Sequence, residues 1–231
     1  MIRTVQLRPV HLLAADLRWT SGSTRANSPS VSYQLGDPGR PSPEPTITIV
    51  IADDSGSVIG PAGADPVSNR YEEASRAFRA IGRRGGKHEL GAVLHFDTPT
   101  SGDVPPTPLT RAGLQRLRSG LHVPHDAAGA SYLGASLNAA TALAKHYRNH
   151  EATLVVLSDF ELFDDNVDQV LDDLADFPGD VHAIVLGGTQ LDGLLDERVQ
   201  ITKAAHTDAP GTVARAIFTS LVAHRPGSRP I

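Results

Sequence analysis

Residues Thr46–Ala52 read Thr-Ile-Thr-Ile-Val-Ile-Ala, an apolar and largely β-branched run that stops abruptly at a carboxylate, Asp53, followed by hydroxyls at Ser55 and Ser57. A strand so uniformly apolar suits a parallel sheet covered on both faces, because an open face would demand alternating polar residues. In such sheets ligands gather beyond the carboxyl ends of the strands, where Asp53, Ser55 and Ser57 are expected. Hard oxygen donors of this kind suit magnesium, manganese or calcium far better than zinc or copper.

Strand and helix patterns alternate from Thr46 onward. The run Leu90–Phe96 reads as a second strand, Ala152–Ser158 as the second strong one after Thr46–Ala52 and Val181–Leu186 as another, with Val199–Thr202 a shorter candidate. Apolar residues at helical spacing fall between them: Tyr71, Ala74, Ala77, Phe78 and Ile81, then Leu133, Leu137, Ala140, Ala144 and Tyr147, then Val167, Val170, Leu171 and Leu174. The expected fold class is α/β, doubly wound, with a mainly parallel central sheet flanked by helices. An N-terminal extension precedes it. Short apolar runs end near Trp19, either a strand that extends the sheet or an arm that grips a partner, and residues 20–45 are rich in Ser, Pro, Gly and Asn, as in a flexible linker. The expected organisation is an arm and linker over 1–45, the α/β domain over 46–224, and a frayed tail over 225–231.

Composition narrows the partners. A formal net charge of -5 with no dense basic stripe argues against nucleic acid. With no cysteine, disulfides, thiolate zinc sites and cysteine nucleophiles are excluded. The first residues lack the uninterrupted apolar core of a signal peptide, and no later segment is long and apolar enough to span a bilayer, so the default location is the cytoplasm, away from membranes.

Three segments share one design, in which an element ends and offers oxygen groups. They are Asp53-Asp54-Ser55-Gly56-Ser57, a D-x-S-x-S pattern; Gly129-Ala130-Ser131-Tyr132-Leu133, a hydroxyl before a helix; and Leu157-Ser158-Asp159, a strand ending in a carboxylate. From about Thr46 to His224 the chain resembles a von Willebrand factor A domain, also called integrin I-like, with its metal-ion-dependent adhesion site. The first and last parts of the family's pattern are present, while Ser131 stands where threonine is usual and Ala130 where a second glycine is usual. Serine keeps the oxygen but loses the β-branch that fixes the rotamer, so coordination there is expected to be looser. The resemblance implies that Ser55, Ser57 and Ser131 approach a Mg2+ ion directly (Mn2+ or Ca2+ as alternatives), while Asp53 and Asp159 hold it partly through water. It further implies a non-enzymatic module that binds an exposed Asp or Glu of a partner protein within an intracellular assembly, such as an ATPase-driven, stress-response or defence complex.

Each feature has a plainer explanation. D-x-S-x-S occurs in turns where side chains satisfy backbone amides, Ser131 alone is a good helix cap, and Asp159 alone is an ordinary strand-end residue. Their order and the intervening elements favour the metal site. Among weaker candidates, His146 and His150 stand four apart and would share a face of one helix, His122, His125 and Asp126 lie in the loop before Ser131, and Asp54, Glu161, Asp164 and Asp165 flank the motif. Two other functions compete. One is a magnesium-dependent phosphoacceptor domain using Asp53-Asp54 and Asp97, with Ser158 and Lys203, which gives Ser55, Ser57 and Ser131 no role. The other is a scaffold with a vestigial metal site.

Overall fold

The computed structural model describes residues 32–65, 69–82, 84–188, 193 and 195–231, and the apolar runs before Trp19 lie outside them. The described elements begin with β1 (Gly36–Asp37), β2 (Thr46–Ala52), α1 (Gly56–Ile59) and α2 (Arg70–Gly82). They continue with β3 (Glu89–His95), β4 (Val104–Pro108), α3 (Arg111–Ser119), α4 (Gly134–His146) and β5 (Glu151–Ser158). The last are α5 (Val167–Ala175), β6 (Asp180–Leu186), β7 (Val199–Ala204), α6 (Thr212–Val222) and β8 (Arg229–Pro230).

Every residue of β2 is buried, as its composition requires. Ile47, Ile49 and Ile51 point to one side and pack with Leu154 and Val156 of β5 under α4 and α5. Val50 points to the other, where Val155, Phe78 of α2, Leu117 of α3 and Phe218 of α6 complete a second core. The sheet order is β4-β3-β2-β5-β6-β7, parallel throughout except for β4, which runs antiparallel to β3. Strand order therefore reverses between the neighbours β2 and β5. The crevice beyond their carboxyl ends is the switch point at which doubly wound sheets collect ligands.

Helix α6 is set against α2 by Glu73, a buried carboxylate that accepts hydrogen bonds from the amides of Gly211 (2.8 Å) and Ala214 (2.9 Å) at the start of α6. The amides at that end have no helical partner of their own, and the helix dipole favours an anion there.

Three expectations change. Residues Tyr33–Ile231 form one compact unit, so the last part of the expected linker is folded: β1 pairs with β8, and the amide of Ser42 bonds to Glu89 at 3.1 Å. The stretch expected to fray is anchored at Arg225, whose guanidinium pairs twice with Glu89 at 2.7 Å, both groups buried. A carboxylate starting an interior strand needs a cation, and the tail supplies it. Finally, α4 ends at His146, so His150 lies past the helix; instead of sharing a helical face, both imidazoles pack edge-on against Tyr147. Among the described residues, no helix is long and apolar enough to cross a membrane.

Candidate metal centre

The site is built at the reversal between β2 and β5. The amide of Asp53 donates to Leu157 O at 3.0 Å, continuing the β2–β5 ladder by one residue, so Asp53 and the end of β5 lie side by side. Oδ1 of Asp53 accepts from the Ser55 amide (2.8 Å) and Oδ2 from the Ser158 hydroxyl (2.6 Å). The carboxylate is thereby fixed, and each oxygen keeps a further lone pair. The turn brings the Ser55 and Ser57 hydroxyls within 3.0 Å of each other.

Asp159 follows Ser158, with Oδ1 accepting from the Glu161 amide at 3.1 Å. The next residue, Phe160, has φ of 58°, a left-handed conformation costly for a bulky residue, and its buried ring and amide bond to Ser158 hold it there. Ser131 enters from a third loop. Gly129, with φ of +73°, lies against the Asp54 carbonyl and donates its amide to Asp97 at 2.8 Å, while the Ser131 carbonyl accepts from the Phe163 amide at 2.9 Å. Ser131 is thus suspended between the loops after β3 and β5. It does not cap α4. That role falls to Asp164, whose carboxylate takes the amides of Leu133 (3.0 Å) and Gly134 (2.9 Å). Asp164, which in sequence precedes α5, thus caps the earlier helix α4.

Electrostatics separates two neighbouring aspartates. Asp54 is fully partnered: it forms a buried ion pair with Arg70, accepts from Tyr71 Oη at 2.7 Å, and lies 2.6 Å from His95 Nδ1. Arg70 also pairs with Asp65 at 2.7 Å and donates to the Asp53 carbonyl at 3.0 Å, tying this network to the backbone of the D-x-S-x-S turn. Burial raises the Tyr71 phenol well above its ordinary range, which keeps it a donor. Asp53 and Asp159 are equally buried, yet neither has an ion-pair partner among the described residues. Burial pushes the Asp53 carboxyl up to about 6, the Ser158 and Ser55 bonds act against this, and the charge of Asp159 adds to it. Buried carboxylates are normally paired with a cation or bound to a metal. Two of them beside converging hydroxyls fit a hard divalent ion. Among the described residues no three His, Asp or Glu side chains gather to hold a metal, so such a site depends on the serine oxygens.

Arg70, His95, Tyr71 and Ser158 position the site without belonging to the motif. A signal for His95 exists in the sequence, since it interrupts an otherwise apolar strand, Ala92-Val93-Leu94-His95-Phe96. Arg70 carries no comparable mark. The loop histidines are peripheral: His125 Nδ1 and Asp126 bond to Ser101.

No family profile and no curated protein matches the sequence. Solved structures match in fold. A pilus adhesin, SpaC from Lactobacillus rhamnosus GG, aligns with a TM-score of 0.58 and 11% identity over 78% of this chain and 30% of its own. A von Willebrand factor type A protein from Catenulispora acidiphila aligns with a TM-score of 0.55 and 12% identity, covering 84% of this chain and 49% of that one. Proximal thread matrix protein 1 from the mussel byssus gives 0.50 and 14%, over 81% and 48%. The chain spans half or less of the length of each. At these identities the likeness shows the fold alone, a doubly wound α/β domain like those in these structures.

Proposed function

We propose that this chain is a divalent-cation-dependent protein-interaction domain that captures an acidic residue of a partner at the end of β2 and β5. The observation that carries this reading is the pair of buried carboxylates, Asp53 and Asp159, without an ion-pair partner among the described residues, beside the 3.0 Å contact of Ser55 and Ser57. Ser55, Ser57 and Ser131 would supply neutral oxygens, and Asp53 and Asp159 the two negative charges. A Mg2+ ion, or Mn2+ or Ca2+ in its place, would offer an exchangeable position to an incoming carboxylate.

The chain's own part is to prepare that position. Ser158 and the Ser55 amide hold Asp53 in one orientation, the Arg70–Asp54 network anchors the turn, and the Phe163 amide holds Ser131 by its carbonyl. The residues assigned here bind and orient, and none is given a bond-breaking role. The pilus adhesin that shares the fold is in keeping with a binding role. The partner is read as a protein of an intracellular multi-protein complex.

Titration calorimetry with Mg2+ on the wild-type chain and on Asp53→Ala and Ser55→Ala tests this. Uptake by the parent and at least about tenfold weaker uptake by each variant, a difference of about 1.4 kcal/mol, is expected. A parent that takes up neither Mg2+, Mn2+ nor Ca2+ would overturn it.

A further inference from the structure

We propose that the rim of this site selects an acidic residue set beside a large apolar side chain, in a partner segment with basic flanks. The proposal rests on the cation-dependent reading above and narrows the partner it would accept.

Few large apolar side chains of the described residues are strongly exposed, and three of them lie within four residues of proposed ligands: Phe163 at 68%, Tyr132 at 49% and Ile59 at 42%. They come from the three segments that carry the proposed ligands, Ile59 closing the short helix α1. Ile59 follows Ser57 by two residues, Tyr132 follows Ser131 directly, and Phe163 follows Asp159 by four. Backbone contacts hold two of them against the ligand segments, with the Ile59 amide bonded to Ser55 O at 3.0 Å and the Phe163 amide to Ser131 O at 2.9 Å. A single exposed apolar residue is ordinary. Apolar groups exposed on three segments that also carry candidate ligands have the composition of an interaction site.

Charge supplies the rest of the partner's description. Glu161 and Asp165 are exposed on either side of Phe163 and form no ion pair among the described residues. This rim repels a broadly acidic segment, so a single carboxylate drawn to the cation has to be followed by groups that suit an apolar and negative surround. A large apolar side chain against Tyr132 and Phe163 also excludes water from the carboxylate beside it, which strengthens its attraction to the cation. Lysine or arginine farther out complements Glu161 and Asp165.

A random-peptide display library, panned on the full chain in Mg2+ and eluted with chelator, tests the proposal. Sequences pairing Asp or Glu with an adjacent Phe, Trp, Tyr or Leu and carrying basic flanks are expected. The variant Tyr132→Ser, changed only at an exposed side chain, should take up Mg2+ like the parent yet bind an enriched peptide about fivefold or more weakly; Ile59→Ser provides an independent second variant. Chelator-released peptides with no apolar neighbour, equal binding by all the variants, or Mg2+-driven self-association through this face would each overturn the proposal while Mg2+ uptake remained intact. Absence of Mg2+ uptake by the parent would instead remove the reading beneath it.

Discussion

Asp53 and Asp54 are neighbours of the same type with different roles, and burial alone does not separate them. Asp54 is neutralised by Arg70, whereas Asp53 among the described residues bonds to the Ser158 hydroxyl and the Ser55 amide and feels the charge of Asp159. The consequence for stability has a definite sign. A carboxyl raised from 3.8 to about 6 on folding holds its proton more tightly in the native state, so its contribution is fully present below pH 3.8 and is lost as pH rises through about 6. At roughly 1.4 kcal/mol per pH unit this amounts to about 3 kcal/mol in the cation-free chain. Asp53→Asn, measured by urea unfolding in chelator, is therefore expected to be more stable than the parent at pH 7 and no more stable at pH 3.5, while losing cation uptake. The carboxylates and hydroxyls were legible in the sequence because the motif is local. The Arg70 that separates the two aspartates was not, because it joins Asp54 across 16 positions of chain.

At the scale of elements, buried ion pairs hold the periphery to the sheet. Glu89, the first residue of β3, accepts from Arg225 twice and from the amides of Ser42 and Gly86, joining the segment before β2, the α2–β3 turn and the chain after α6. Removing one partner of such a pair leaves the other charge buried and uncompensated, a cost of about 3–5 kcal/mol. Glu89→Ala should lose stability on that scale by chemical denaturation. Its limited proteolysis should begin near residues 33–45 and 225–231, which this carboxylate secures. Composition made both segments read as loose, since Pro, Gly and Ser mark turns and linkers whether or not a distant charge pins them. The central strands were read correctly, because a fully apolar run has few places to go.

For the whole molecule the pH profile joins the two ends of the sheet. His182 of β6, buried between the Ser220 and Thr202 hydroxyls at 2.6 and 2.8 Å, is lowered by burial to about 4. A depressed histidine makes the folded state lose stability as pH falls from 6.5 through 4, because only the unfolded chain takes up the proton; the scale is again about 3 kcal/mol. Asp53 and His182 thus act with opposite sign over nearly the same range. In chelator their contributions roughly cancel, and the profile from pH 4 to 6.5 is expected to be flat as far as these groups set it. In saturating Mg2+ the Asp53 contribution disappears and stability should rise with pH. Unfolding curves in both conditions, with His182→Phe as a control that removes the rise, check this.

The order of strands and helices, the covered parallel sheet and the oxygen-bearing ends at Asp53, Ser131 and Asp159 follow from local patterns: apolar runs, helical periodicity and short motifs, each contained in a few consecutive residues. The strand order that places β2 beside β5, the cationic partner of Asp54, the transfer of helix capping from Ser131 to Asp164, and the exposure of Ile59, Tyr132 and Phe163 depend on residues far apart in the chain. Those features arise when distant charges and surfaces meet on folding. A linear pattern records a residue's chemistry and its immediate neighbours, but not which remote group will neutralise, cap or cover it.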